Sequence, residues 1–314
     1  MALYWRKKVL LAKIETTYGT DPTPTGVANA ILAVDVKLNP MEGQDIERGL
    51  DLPWFANDGT IPADLHMKLS FKVELQASGA LGVAPAWGPL IRACGWAQTI
   101  VASTSVTYNP ISSGLESATF YLNIDGQLHV MKGARGTCKL TIGAQSIPYL
   151  EFSFQGLFAV PTDTAAPTPT LTGFKDPLAA SAANTPVFTL GGVSLVLRSL
   201  TFDFGNKLEN RFLIGGSSAA HSVQITDRAE TLEMNVEAVA MSTLNPFSLA
   251  QAMTTSVVAL QHGTAAGYRA TLNVPALQLQ RPANLDNTQN ILEWPLRGIP
   301  KPVSGNDQAT LVLT

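Results

Sequence analysis

The residues whose types could bind a metal or act as base or nucleophile are four histidines (His66, His129, His221, His262) and two cysteines (Cys94, Cys138). Their spacing supports neither chemistry. A zinc-binding helix places two histidines four apart around a glutamate, and thiolate sites pair cysteines at Cys-x-x-Cys spacing. No two of these residues stand in such a relation. The chain has no Gly-x-Ser-x-Gly elbow to hold a nucleophile and no Gly-x-x-x-x-Gly-Lys phosphate loop. Gly191-Gly192 and Gly215-Gly216 read as turns. The carboxylates between Glu42 and Asp58 have the composition of an acid–base pair or a calcium site, but nothing in the spacing fixes their geometry, and they read as a solvated acidic loop. No catalytic, cofactor-binding or metal-ligating residue is assigned, and the chain is not read as an enzyme.

What must position any site is a chain of 314 residues, long enough for about two domains. Hydrophobic residues make up 46%, sufficient for ordinary cores, but charged residues only 14% against about 25% in a typical domain. A lone monomer normally carries more mixed charge, so much of this surface is expected to be covered by copies of the same chain. The net charge of −3 disfavours nucleic-acid affinity, which needs clustered Lys and Arg. The cysteines form no disulfide framework and are expected as buried thiols. The basic residues near the start precede too short an apolar run for a signal peptide, and no run approaches the roughly 20 residues of a membrane helix. Folding in a cytoplasm is the expectation.

The stretch 65–77 organises the rest. Leu65, Met67, Leu69, Phe71, Val73, Leu75 and Ala77 alternate with His66, Lys68, Ser70, Lys72, Glu74 and Gln76. This predicts one long strand, apolar on one face and wet on the other, spanning roughly 40 Å in an antiparallel sheet. Before it, residues 1–30 read as an arm, free or laid along a neighbour. A strand follows over 31–38, then a long loop over 39–63 in which Trp54-Phe55 argues for an anchor rather than disorder. Trp87, Leu90, Ile91 and Cys94 mark an amphipathic helix within 85–97. Strands are predicted near 105–109, 137–142 and 149–154. Asp125-Gly126 joins 120–124 to 128–131 as a type I′ hairpin. The Pro-, Thr- and Ala-rich segment 161–186 reads as a linker.

The second half repeats the plan. Leu200, Phe202 and Phe204 head a strand, a Gly-containing loop covers 205–222, and a long alternating stretch over 223–241 changes parity between Ala229 and Leu232, the mark of a bulge. Asn245 caps a helix opened by Pro246, with Leu244 positioned to staple to Leu249. Strands are predicted near 257, 270–274, 277–280, 291–294 and 310–313. First strand and helix fall at 34 and 86 in one half and at 200 and 246 in the other; helix and last strand fall at 86 and 150, and at 246 and 310. This order predicts an internal duplication, with an arm (1–30), a first domain (31–160), a linker (161–186) and a second domain (187–314).

The run Leu11-Ala12-Lys13-Ile14-Glu15-Thr16-Thr17-Tyr18-Gly19-Thr20-Asp21-Pro22-Thr23-Pro24-Thr25-Gly26, followed by Ala28-Asn29-Ala30-Ile31, resembles the opening of the major tail (tail tube) proteins of long-tailed, non-contractile bacteriophages. The close match covers the first tenth of the chain; the rest agrees by pattern. The resemblance implies a mainly β fold of two tandem tail-tube-like β-sandwich or barrel domains, each with a flanking α-helix. It implies rings stacked into a virion tail tube through which DNA passes without specific binding, built in the host bacterial cytoplasm. The implied partners are copies of the chain, as homotrimeric pseudo-hexameric or homohexameric rings, together with the tape measure, tail terminator and distal tail proteins, and no membrane. On that reading His66, Lys68, Ser70, Lys72, Glu74 and Gln76 face the lumen. Glu42, Asp45, Glu47, Arg48, Trp54 and Phe55 are candidates for contact between rings. Lys68 and Lys72 sit awkwardly in a lumen that must let phosphates slide. Competing expectations are another virion protein, such as a head decoration or baseplate component, and a carbohydrate-binding β-sandwich, which the 7% aromatic content disfavours.

Overall fold

The computed structural model describes residues 2–215 and 221–314. The chain is mainly β, with short helices, and its sheets do not close into a barrel, consistent with a β-sandwich. It opens with β1 (Lys8–Ile14), α1 (Gly26–Asn29) and β2 (Ala30–Ile31). Within the stretch expected to be an arm, β1 is therefore a sheet strand, lying between β2 and a later strand with Leu10, Leu11 and Ala12 buried.

The next two strands correct the expected long loop. β3 (Val34–Glu47) and β4 (Thr60–Glu74) form one extended hairpin, paired from Val34–Lys72 out to Glu47–Thr60. Only residues 48–59 lie beyond the pairing. The register shifts three times along it, so bulges break the alternation that would have marked a strand, and both faces of its outer half are exposed, so no apolar period exists there. The organising strand thus starts earlier than residue 65 and ends at Glu74. Its apolar face is as expected: Met67, Leu69, Phe71 and Val73 are buried.

α2 (Gly88–Ala93) is shorter than the predicted 85–97, but the stripe Trp87, Leu90, Ile91 and Cys94 is fully buried. Trp87 Nε1 donates to the Gln76 carbonyl at 2.8 Å, fixing the helix against the end of β4. β5 (Trp96–Val101) and β6 (Ser105–Pro110) follow, then β7 (Ala118–Ile124) and the 17-residue β8 (Gln127–Gly143), then β9 (Tyr149–Leu157). The β7–β8 turn is the predicted Asp125-Gly126, both at positive φ (48° and 105°).

The stretch expected as a linker is tied down. It carries β10 (Thr162–Asp163), paired with β8, and Thr170 and Ala180 amides donate to the Gly26 and Ser146 carbonyls. The remaining strands are β11 (Val187–Leu190), β12 (Val193–Ser194), β13 (Leu197–Asp203), β14 (Asn206–Phe212), β15 (His221–Arg228) and β16 (Thr231–Glu237). β14 stands where a loop over 205–222 was expected and pairs with β15; of the predicted turn Gly215-Gly216, Gly216 lies outside the described residues. The parity change falls at Ala229-Glu230, the break between β15 and β16, where the Ala229 amide donates to Gly205. α3 (Pro246–Gln251) has the predicted cap, with Asn245 Oδ1 accepting from the Ser248 amide at 3.0 Å. The chain ends in β17 (Thr255–His262), β18 (Ala270–Leu279), β19 (Asp286–Thr288), β20 (Ile291–Pro300) and β21 (Thr310–Leu313).

Eight of these strands make one continuous antiparallel sheet in the order β3, β4, β9, β8, β13, β16, β20, β19. Four come from each half of the chain, joined edge to edge at β8–β13. β10 pairs with β8, β14 and β15 pair with each other, and the other strands extend two further ladders. One is β2–β1–β7–β8 and the other β5–β6–β21–β18–β17–β11–β12. A single cluster of buried residues runs through both halves, with Trp87, Trp96, Phe154, Phe202 and Trp294 among its largest members. Each such side chain contributes about 1.5–3 kcal/mol by leaving water.

Sequence reasoning passed over Glu15. This buried carboxylate follows β1 and accepts from Ser117 Oγ and Thr119 Oγ1 at 2.6 Å each, and from the Gly133 and Gly19 amides at 2.7 and 2.8 Å. It ties the start of the chain to β7 and β8. Removing it strands several buried donors, each costing about 1–3 kcal/mol. Glu15→Ala is therefore expected to lower unfolding stability by at least about 3 kcal/mol in chemical denaturation, and Glu15→Gln to recover part of the loss.

Candidate functional site

The polar face of the eight-stranded sheet is the candidate site. Its geometry follows from register. Along β4, Lys68, Ser70, Lys72 and Glu74 pair across the backbone with Gln155, Ser153, Glu151 and Tyr149 of β9. β9 in turn sets Glu151 opposite Lys139 of β8, and β8 sets Lys139 opposite Asp203 of β13. Lys72, Glu151, Lys139 and Asp203 therefore form one row of alternating charge across four neighbouring strands. Lys72 Nζ lies 3.2 Å from Glu151, and Lys139 Nζ lies 3.2 Å from Asp203. The Lys139–Asp203 pair spans the seam between the two halves. A further row runs Thr141, Thr201, Glu233, Arg297, where Arg297 Nε stands 3.4 Å from Glu233.

Lys68 is matched as well. Its Nζ is 2.5 Å from Glu42 Oε2, and Asn39 Nδ2 donates to the same carboxylate at 2.5 Å. These bonds hold the Glu42 carboxyl below the ordinary carboxylate range. His66 stands beside Glu42 as well, Nε2 to Oε2 3.7 Å, with Nδ1 2.8 Å from the Asp64 carbonyl oxygen. Both lysines that sat awkwardly in the sequence thus have a carboxylate across the sheet. Nothing in one strand's sequence could show this, because the partners lie on other strands. Gln76 does not share the face. It lies beyond the end of β4 and is buried, since the chain there turns inward under Trp87.

The second set of candidates lies on the outer half of the β3–β4 hairpin. Glu42, Asp45 and Glu47 belong to β3, and Arg48, Trp54 and Phe55 to the segment around the tip. Trp54 and Phe55 are exposed, together with Met41, Ile46, Leu50, Leu52 and Ile61. Exposed apolar side chains gathered along one hairpin are a feature that contact surfaces share.

β14–β15 is a hairpin of the second half of the chain, and it packs against β8 and β9 of the first. Arg135 of β8 is buried beneath it, with Nη1 donating to the Val223 carbonyl at 2.9 Å and to Gln224 Oε1 at 2.7 Å. Its guanidinium lies 5.0 Å from the Tyr18 ring centroid, and Tyr18 Oη accepts from the Val223 amide at 2.7 Å. Gln155 Nε2 donates to Asn210 Oδ1 at 2.5 Å. Arg228 closes the base, donating to Asn206 Oδ1 and the Gly95 carbonyl at 2.9 Å each.

His129 and His262 are buried, and burial lowers the affinity of both for a proton. The His221 ring lies tilted beside Phe212, centroids 5.6 Å apart. Cys94 and Cys138 are buried free thiols pushed well up from the usual thiol range by desolvation. Among the described residues no group of three or more His, Cys, Asp or Glu is placed to hold a metal ion, and no helix is long and apolar enough to cross a membrane.

A mainly β protein with a long, ion-paired polar sheet face and a projecting apolar hairpin has the features of a structural module. Residues 5–311 match the family described as phage tail tube protein. The chain belongs to that family: it is a structural component of a phage virion tail, and the family implies self-assembly into a tube with other tail proteins. No curated protein matches it closely enough to add a more particular relative.

The pairing of Glu42 sets a pH response. Its folded value lies below the unfolded one of about 4.3, so its contribution is complete above that value and is lost as pH falls through the folded one. Protection of the amides of residues 39, 41, 42 and 66–69, relative to intrinsic exchange at each pH, is expected to fall below about pH 4, with the response abolished in Glu42→Gln.

Proposed function

We propose that the chain polymerises into stacked rings that form the tail tube, with the polar face of the eight-stranded sheet lining the channel for DNA. The observation that carries this reading is the alternating row Lys72, Glu151, Lys139, Asp203. A free lysine in a channel would hold a phosphate, and neutralising phosphates makes binding strong and salt-dependent. A lysine paired with a carboxylate on the next strand offers DNA no net positive charge, so the duplex slides. His66, Lys68, Ser70, Lys72 and Glu74 are the lumen-facing residues on this reading. The hairpin residues Glu42, Asp45, Glu47, Arg48, Trp54 and Phe55 are the contacts to other copies and to adjacent rings.

Each chain supplies two tube domains, one from either half, so three chains make a ring of sixfold outline. The corresponding order of elements supports this: a long hairpin (β3–β4 or β13 to β16), a short helix (α2 or α3), then a returning strand (β9 or β20) paired to the hairpin's second strand. The protein acts as architecture rather than as an enzyme. It assembles in the host bacterial cytoplasm on a tape measure protein, between distal tail and terminator proteins.

Negative-stain electron microscopy of the concentrated protein is expected to show hollow tubes or rings of sixfold outline, with a mass of three chains per ring; six chains per ring would overturn the two-domain count. In particles carrying Glu151→Lys, the lysine left in the row is expected to slow DNA release, most strongly at low salt.

A further inference from the structure

The seam inside the chain is a template for the seam between chains. β8 meets β13 with Thr141 opposite Thr201 and Lys139 opposite Asp203. The two four-stranded units can be set side by side from the last residues of β4 and β16, Glu74 and Glu237. In the first, Glu74 pairs with Tyr149, and Tyr149 with Thr141. In the second, Glu237 pairs with Glu293, and Glu293 with Asp286. Asp286 thus holds the place of Thr141. On the opposite edge, Ser70 pairs with Lys37 and Glu233 with Thr201. Ser70 precedes Glu74 by the same interval as Glu233 precedes Glu237, so Lys37 holds the place of Thr201. A register shift opens both entering strands, between Val34 and Lys37 and between Leu197 and Ser199.

We infer that β3 of one copy pairs antiparallel with β19 of a second copy, Lys37 opposite Asp286 and Leu38 opposite Leu285, repeating the β8–β13 seam between chains. This rests on the tube reading and specifies its interface. Among the described residues β3 pairs only with β4, and β19 only with β20, so each end of the sheet leaves a row of backbone donors and acceptors without a strand partner. The edges are complementary. Lys37 has no ion-pair partner among the described residues, and Asp286 Oδ1 accepts from the Asn287 amide, with the Arg198 charge near enough to act on it. Leu285 is 60% exposed and Val34 37%. The internal seam carries its ion pair at Lys139–Asp203; the external one carries it one pair further along the same face.

The hairpin follows the same rule. β14–β15 lies over the first unit through Asn210 and Gln155. The outer half of β3–β4 therefore lies over the second unit of the neighbouring copy. Ile46 and Ile61 face each other across that hairpin, both half exposed, and Ile299, in the place of Gln155, is 42% exposed. The contact joins unlike edges, so it is head-to-tail and a closed ring uses every edge.

The test is disulfide formation in the Lys37→Cys, Asp286→Cys double variant under tube-forming conditions. Both positions are exposed and the native thiols are buried, and thermal unfolding of the unassembled chain checks the fold. Within one chain the two positions stand at opposite ends of eight strands, about 30 Å apart, beyond disulfide reach. Directly opposed residues of paired strands lie within it. The expected result is covalent multimers that stop at the size of one ring, at least tenfold more abundant than from Lys37→Cys with Asn284→Cys, where the thiols are diagonal. Tubes that form without these cross-links, or with equal cross-linking in the diagonal variant, would overturn the register and leave the tube reading standing. A wild-type chain that never assembles and a variant that never cross-links would overturn both.

Discussion

The backbone ladder between β8 and β13 is the constraint on which the rest depends. It sets Lys139 to Gly143 against Asp203 to Ser199 and turns two four-stranded units into one sheet. Pairing unit to unit in this way leaves each half with one satisfied edge and one open edge. Sheet edges are hazards that proteins usually cover or charge. Here the two open edges, among the described residues, are β3 and β19, the first and last strands of the eight-strand order.

The polar face obeys the same register. Because each strand is antiparallel to the next and paired residue to residue, charges of opposite sign on neighbouring strands are brought into direct contact, as in Lys72–Glu151 and Lys139–Asp203. Such exposed pairs add little to stability, roughly 0–1 kcal/mol each. Their consequence is electrostatic: along the row from Lys72 to Asp203 each lysine has a carboxylate beside it. Below the polar surface, apolar residues of β4 pack against the ladders behind it, as Phe71 does against Phe120 of β7, so the face rests on a core it does not take part in. The buried groups Glu15, Arg135 and Arg228 add the directional bonds that fix the chain's start and the second hairpin to this sheet.

Particular elements show where the sequence was legible. The alternation from Leu65 to Glu74, the helix stripe Trp87 to Cys94, the Asp125-Gly126 turn and the Asn245-Pro246 cap are local signals, decided by residues near one another in the chain, and each appears where its pattern placed it. The outer half of the β3–β4 hairpin, and β14 in the second half, were read as loops, the first being the clearer case. With no buried face there is no period to read, and Pro40, Gly43 and three register shifts interrupt what alternation remains. The segment 161–186 has linker composition yet makes backbone hydrogen bonds to residues as distant as Gly26, which composition does not encode.

By itself the sequence determined the secondary-structure class, the apolar and polar faces of the central strand, and the repeated order of strand, helix and strand. These depend on periodicities of two and 3.6 residues and on caps and turns, all short-range. Only the tertiary structure decided which strands are neighbours and in what register, and so which charges meet. Lys68 and Lys72 look like unpaired cations in one strand and are paired in the sheet, because Glu42 and Glu151 reach them across the backbone from β3 and β9. Contact between residues 26 to 79 positions apart is set by the packing of the whole chain, and no local pattern carries it.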